Sequence, residues 1–313
     1  MRRFWLTLLS VTVMIAGVAL FLTTRTDRPH AESPTGKLRV VTTNSILEDM
    51  VQQVGKDKVG VYSIVARGTD PHEYEPRPAD IAASAEADVL FHNGLNLETG
   101  GSGWFTKLVD TSGKHFGQDV FAASAGVRPR HLTTNPEEQD PHAWLDLVNG
   151  IQYVRTITDI LAEKDPQNAA FYQQNAAAYT NKLAALHEDA KAQFQDLPED
   201  RRVLITSEGA FKYFGAAYDL TPAYIWELNS ESQGSPEQMK AVLVKIEKSN
   251  VRSLFVETSV SPKSMTKIAQ DTGLPIHAQL FTDSLAKTGT NGDTYYDMMK
   301  WNLEKIHEGL SKA

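Results

Sequence analysis

Between Val148 and Phe194 the chain favours helix almost without a break, and short strands and helices alternate on either side of that stretch. The one interruption falls at Asp165-Pro166, where proline supplies no backbone donor and cannot continue a helix. The second part, Gln167–Phe194, sets Phe171, Tyr172, Asn175, Tyr179, Leu183, Leu186, Ala190 and Phe194 in mixed steps of three and four, with alanines between them. That is the pattern of a packed helix in good helix formers. At about 1.5 Å per residue it makes a rod of roughly 42 Å, long enough to run the height of a two-lobed molecule.

The flanking alternation fixes the class of the lobes. Leu38–Thr43, Val59–Val65 and Asp88–Asn93 are β-branched or apolar runs that predict strands, with helices over Ile46–Val54 and Pro78–Ala85; Asn44 or Ser45 can cap the first helix. After Leu197-Pro198 the rhythm restarts. Strands are predicted over Arg202–Thr206, Thr221–Trp226, Ser253–Glu257 and Pro275–Phe281. Helices are predicted over Ala210–Tyr218, Pro236–Ser249, Pro262–Gly273 and Tyr295–Leu310. Such β-α-β runs call for right-handed crossovers and a parallel sheet. The expected fold is α/β, two (β/α) lobes with mostly parallel sheets bridged by a single long α-helix. With 313 residues there is room for two lobes of roughly 130 residues each. The divisions expected are 1–36 as signal or anchor and linker, 37–166 as the N-terminal lobe, 167–194 as the interdomain helix and 195–313 as the C-terminal lobe. No sequence repeat relates the halves.

The first 36 residues carry an address. Arg2 and Arg3 precede an apolar run from Phe4 to Leu22, broken only by Thr7, Ser10, Thr12 and Gly17. The run is longer than the apolar part of a usual cleaved signal and close to the length that spans a bilayer. It predicts export, either cleaved or retained as an anchor that touches the membrane. The polar stretch Thr23–Gly36, with Pro29 and Pro34, then leads into the mature domain.

Charge and cysteine count narrow the chemistry. A net charge of −8 argues against nucleic acid, whose phosphates require a basic surface; it suits cations but serves solubility equally well. The absence of cysteine removes disulfides, thiolate metal sites, thiol catalysis and a cysteine-linked lipid. Any bound metal must be held by imidazole, carboxylate, amide, carbonyl or water, a set that favours harder cations.

In open α/β sheets ligands gather beyond the carboxyl ends of the strands. Four metal-capable residues fall in such places. His72 lies in Asp70-Pro71-His72-Glu73-Tyr74-Glu75-Pro76 and His142 in Asp140-Pro141-His142-Ala143-Trp144-Leu145-Asp146. Glu208 lies in Thr206-Ser207-Glu208-Gly209-Ala210-Phe211, and Asp283 in Phe281-Thr282-Asp283-Ser284-Leu285. Two imidazoles from one lobe and two carboxylates from the other could close on one ion. Taken singly, a loop histidine is ordinarily a surface residue, and an acid after a strand is ordinarily a helix cap. The other histidines, His30, His92, His115, His131, His187, His277 and His307, read as structural or surface groups.

From Lys37 to Ala313 the chain resembles the substrate-binding proteins of manganese, zinc and iron ABC importers, the cluster that includes pneumococcal surface adhesin A and treponemal TroA. The resemblance rests on the four segments above together with Asn93-Gly94-Leu95-Asn96-Leu97-Glu98, Tyr224-Ile225-Trp226-Glu227 and Gly234-Ser235-Pro236-Glu237-Gln238. It implies that His72, His142, Glu208 and Asp283 are the metal ligands and that the long helix limits hinge motion. It also implies that the partners are the permease and ATPase subunits of an importer, that the protein works outside the cytoplasm, as a monomer, and that it performs no catalysis. Two departures stand out. Gram-positive members usually carry a lipidated cysteine, absent here. Zinc-specific members usually carry a histidine at the third ligand position and a histidine-rich loop; here the third position is Glu208, and the segment from His115 to Asp140 has no histidine run.

Two imidazoles and two carboxylates, if both carboxylates bind through two oxygens, reach a coordination number of six. That suits Mn²⁺ or Fe²⁺, whereas Zn²⁺ prefers four donors. Mn²⁺ is the expected cargo, with Zn²⁺ and Fe²⁺ as alternatives; Zn²⁺ is expected to bind in vitro in any case, because it outcompetes Mn²⁺ for N/O donors. A mononuclear metallohydrolase is the rival of another class. It would need an open coordination position and a general base. An adhesin is a third reading, for which no feature of the sequence speaks.

Overall fold

The computed structural model describes residues 36–101, 103–229 and 234–311. The apolar segment Phe4–Leu22 lies outside the described residues, and no helix among the described residues is long and apolar enough to cross a membrane.

The N-terminal half carries a four-stranded sheet of β1 (Leu38–Thr42), β2 (Val59–Ser63), β3 (Val89–His92) and β4 (Val120–Ala122) in the order β2-β1-β3-β4, with every pair parallel. Three helices connect or flank them: α1 (Ser45–Gly55), α2 (Pro78–Glu86) and α3 (Trp104–Thr111). The side chain of Asn44 accepts hydrogen bonds from the amides of Ile46 and Leu47, the N-cap that starts α1.

Two helices follow, α4 (Leu147–Lys164) and, after a single tight turn at Pro166–Asn168, α5 (Ala169–Gln195). The C-terminal half contains β5 (Val203–Glu208), α6 (Lys212–Tyr218), β6 (Thr221–Trp226), α7 (Pro236–Glu247), β7 (Leu254–Glu257), α8 (Lys263–Thr272), β8 (Ile276–Leu280) and α9 (Tyr295–Ser311). β5 pairs in parallel with β6 and β7 with β8, and β5 runs alongside β7. The C-terminal half thus holds two two-stranded sheets, β5-β6 and β7-β8, lying side by side.

Adjacent residues in the strands feed opposite faces, as the pleat demands. Val40, Val89, Leu204 and Phe255 enter one large apolar cluster, which runs without interruption through Tyr172, Leu183 and Phe194 of α5 to Phe214 and Ile306. Their neighbours Val41 and Leu90, or Ile205 and Val256, enter a smaller cluster on the far side of each sheet. The buried stripe of α5, Tyr172, Ala176, Tyr179, Leu183, His187, Ala190 and Phe194, packs against α1 and α4 on one side and α6 and α9 on the other. Each large side chain on that stripe contributes about 1.5–3 kcal/mol when fully buried, so the long helix is part of the core of both halves. The expected architecture of parallel sheets joined by one long helix is the one observed.

Two elements were not foreseen. α3 and β4 fall in stretches where the sequence predicts no element; they span eight and three residues, too short for periodicity to declare itself, and Gly100, Gly101 and Gly103 precede α3.

Candidate metal-binding site

His72 sits on the long loop after β2, and His142 immediately precedes a one-turn helix, Ala143–Leu145, that leads into α4. Glu208 is the last residue of β5, and Asp283 lies three residues beyond β8. The fold brings all four together: each offers one ligating atom, and these atoms lie within 4.8 Å of one another. His72 Nε2 and His142 Nε2 are 3.3 Å apart. Glu208 Oε1 is 3.5 and 3.6 Å from the two imidazole nitrogens, and Asp283 Oδ1 is 3.8 and 3.5 Å from them. Four donors around one ion with bonds of about 2.1 Å would be separated by about 3.4 Å. All four side chains are buried; His72 alone borders a small cavity of about 40 Å³, shared with Asn96, Leu97, Gly101, Glu138 and Leu228.

The two histidines are presented by the same local device. In Asp70-Pro71-His72 the amide of His72 donates to Asp70 Oδ1 at 2.8 Å, and in Asp140-Pro141-His142 the amide of His142 donates to Asp140 Oδ1 at 3.0 Å. These are Asx turns, with proline fixing φ at the middle residue. Asp140 does more: His142 Nδ1 lies 2.9 Å from Asp140 Oδ1. A carboxylate there must accept, so Nδ1 carries the hydrogen and Nε2 faces the other donors, the usual arrangement behind a metal-ligating imidazole.

The carboxylates are held differently. Asp283 Oδ2 accepts from Ser259 Oγ at 2.9 Å, Thr282 Oγ1 at 2.8 Å and Asn229 Nδ2 at 3.4 Å, while Oδ1 faces the two imidazoles. Glu208 Oε1 accepts from the amide of Asn229 at 2.9 Å, while Glu208 Oε2 is buried without a hydrogen-bond partner. Behind it, Glu257 at the end of β7 accepts from the amides of Ser207 and Glu208 at 3.2 and 2.8 Å. Three donors thus occupy Asp283 Oδ2, while Glu208 Oε2 meets none.

Without a cation the cluster holds protons. Burial, then the charge of Asp283, pushes Glu208 well above the usual carboxylate range. Burial opposes a charge on His142, yet Glu208 and Asp140 outweigh it and raise that imidazole well above its ordinary value. Burial likewise opposes ionisation of Asp283, but the hydrogen bond from His142 and the charges of His72 and His142 bring it down to about 2. A divalent cation entering here replaces protons.

The remaining described histidines stand apart. His92 stacks on Phe105 beside Glu98, His187 meets the Tyr218 hydroxyl at 3.2 Å, His277 lies 3.6 Å from Glu308 and His307 packs on Phe194; His30 lies outside the described residues. Sequence reading did not assign roles to Asp70, Asp140, Asn229, Ser259 or Glu257. The one available signal was the repeated Asp two residues before each histidine.

The family profile of the periplasmic component A of zinc-uptake complexes, ZnuA, matches residues 40–309. The chain is 50% identical over 288 residues to the metal ABC transporter substrate-binding lipoprotein FimA of Streptococcus parasanguinis, covering 91% of this chain and 93% of that one. It is 48% identical over 305 residues to the manganese ABC transporter substrate-binding lipoprotein PsaA of Streptococcus pneumoniae, covering 97% and 98%. Among solved structures, the Mn-bound periplasmic metal-binding protein of Candidatus Liberibacter asiaticus matches with a TM-score of 0.80 at 28% identity, over 88% of this chain and all of the other. Treponema pallidum TroA, a periplasmic zinc-binding protein, matches equally well, with a TM-score of 0.80 and 28% identity over the same shares. The chain belongs to the ZnuA family, the extracytoplasmic substrate-binding components of metal ABC transporters, which bind and deliver solutes and are not enzymes.

Proposed function

We propose that the protein captures Mn²⁺ between His72, His142, Glu208 and Asp283 and hands it to the permease of an ABC importer, whose ATPase subunits drive uptake. The observation that carries the metal assignment is the Oε2 atom of Glu208, buried and without a hydrogen-bond partner beside an Oε1 that already faces both imidazoles. With it the protein can supply five donors, beyond the four that Zn²⁺ prefers and toward the higher numbers of Mn²⁺. The names of several streptococcal relatives, which specify manganese, agree. Zn²⁺ and Fe²⁺ are the alternatives, and Zn²⁺ fits the same cage in vitro. Four protein side chains converging on one point leave little room for a reactive water, which disfavours hydrolysis.

In this reading residues 37–166 and 195–313 are the two lobes, 167–194 the helix between them, and the protein acts as a monomer. The relatives are named as lipoproteins, but these 313 residues hold no cysteine, so Phe4–Leu22 takes the place of a lipid at the membrane. Protein starting at Lys37 is expected to bind one Mn²⁺ per chain.

The test is a competition titration of wild type, Glu208→Gln and Glu208→His with Mn²⁺ and Zn²⁺. Glu208→His should depress Mn²⁺ binding far more than Zn²⁺ binding, because an imidazole offers one donor where the carboxylate offers two. Unchanged Mn²⁺ affinity in Glu208→Gln would overturn the assignment.

A further inference from the structure

Asn229 follows β6 by three residues and touches three carboxylates at the site, those of Glu208, Asp283 and Asp70. Its backbone amide donates to Glu208 Oε1 at 2.9 Å. Its side-chain Nδ2 donates to Asp70 Oδ2 at 2.8 Å and, at 3.4 Å, to Asp283 Oδ2. The orientation of the amide is not arbitrary. Trp226 Nε1, which can only donate, lies 3.0 Å from Asn229 Oδ1, so oxygen faces the indole and NH₂ faces the acids. Trp226 is itself buried at the end of β6 and cannot turn away. Asp70 belongs to the N-terminal half and its other oxygen holds the backbone of His72. Asn229 thus connects the turn that presents a histidine from one half with Asp283 of the other through its side-chain amide, and holds Glu208 through its backbone amide.

We propose that Asn229 is a positioning residue, locked by Trp226, that ties the His72 turn to Glu208 and Asp283 across the cleft and thereby sets how long the ion is held. This rests on the assignment of those residues as ligands. An amide suits the task because it adds donors without adding charge. A lysine would neutralise the acids that attract the cation, and an acid would repel Asp70. Release at the membrane then requires the Asn229–Asp70 bond to part when the halves separate.

The experiment measures Mn²⁺ release into excess chelator by stopped flow, with the thermal midpoint of the metal-free protein recorded for each variant. Asn229→Asp keeps the shape and the backbone amide but sets a third carboxylate against those of Asp70, the nearer, and Asp283; release should quicken by about tenfold or more, in the range typical for residues that orient ligands. Adding Asp70→Asn restores a donor–acceptor pair and should recover most of that loss, which a purely structural role would not do. Asn229→Ala, which adds no charge, should quicken release by more than about threefold and serves if Asn229→Asp does not fold. Release within about threefold of wild type in the folded variants, or no recovery on adding Asp70→Asn, overturns the proposal. If Glu208→Gln retains full Mn²⁺ affinity, the ligand assignment fails instead, and the two failures are told apart.

Discussion

Lys212 Nζ lies 2.8 Å from Asp140 Oδ2, at the head of α6, and reaches Glu227 Oε1 at 2.6 Å on its other side. Asp140 is the carboxylate that orients His142, so a lysine from the C-terminal half braces a histidine presented by the N-terminal half. Burial works against the ammonium, but the two acids keep its pKa above the ordinary value. The contact ties the C-terminal half to the geometry around His142.

Lys212→Met should therefore weaken metal binding by about 10–100-fold, the usual cost of losing a group that supports a ligand. Lys212→Arg should recover part of it, since a guanidinium can still reach both acids. Isothermal titration of the three proteins checks this; an unchanged affinity for Lys212→Met would show that Asp140 positions His142 unaided.

Metal affinity should rise with pH through the neutral range. In the metal-free protein His142 is held above its ordinary value and Glu208 far above the carboxylate range, so a cation must displace protons that an isolated imidazole or carboxylate would already have lost. Each proton displaced makes affinity fall about tenfold per pH unit below the pKa concerned. Competition titrations at pH 6, 7 and 8 measure the slope; a flat profile would exclude His142 as a ligand.

Glu227 supplies an acid-sensitive share of stability. Its carboxylate accepts from the amides of Thr133 and Thr134 at 2.6 and 2.7 Å and from Lys212. Although burial opposes its charge, these donors lower its pKa to about 2, against about 4.3 in an unfolded chain. Because the folded pKa is the lower, the contribution is complete above the unfolded value and disappears as pH falls from there to about 2. Thermal denaturation should show Glu227→Gln clearly less stable than wild type at pH 6 and nearly equal at pH 2.5.

Gly150→Ala should destabilise the junction of the halves. A Cβ there would sit 2.0 Å from the Tyr295 hydroxyl of α9, which donates to the Trp144 carbonyl at 2.6 Å. Overpacking of this kind costs about 1–3 kcal/mol, read from chemical denaturation. Wild-type stability in this variant would mean that Tyr295 yields freely.

The sequence by itself determined the class of fold and the identity of the four convergent residues. The two half-molecules declared themselves because β-branched runs and 3.6-residue periodicity are local properties, and the rod α5 because its apolar stripe repeats from Tyr172 to Phe194. α3 and β4 stayed hidden because periodicity needs length. His72, His142, Glu208 and Asp283 stood out because each lies at or beyond a strand's carboxyl end or in an Asp-Pro-His turn, and because the motifs around them match a known family. Only the tertiary structure decided what those residues do to one another. That Asp283 Oδ2 is occupied depends on Ser259, Thr282 and Asn229, which are 24, 1 and 54 residues away from Asp283. The brace from Lys212 to Asp140 spans 72 residues. Hydrogen bonds between groups far apart in sequence leave no periodic trace in the chain; they arise only when strands and helices pack, within the C-terminal half for Asn229 and Ser259 and between the halves for Lys212 and Asp140.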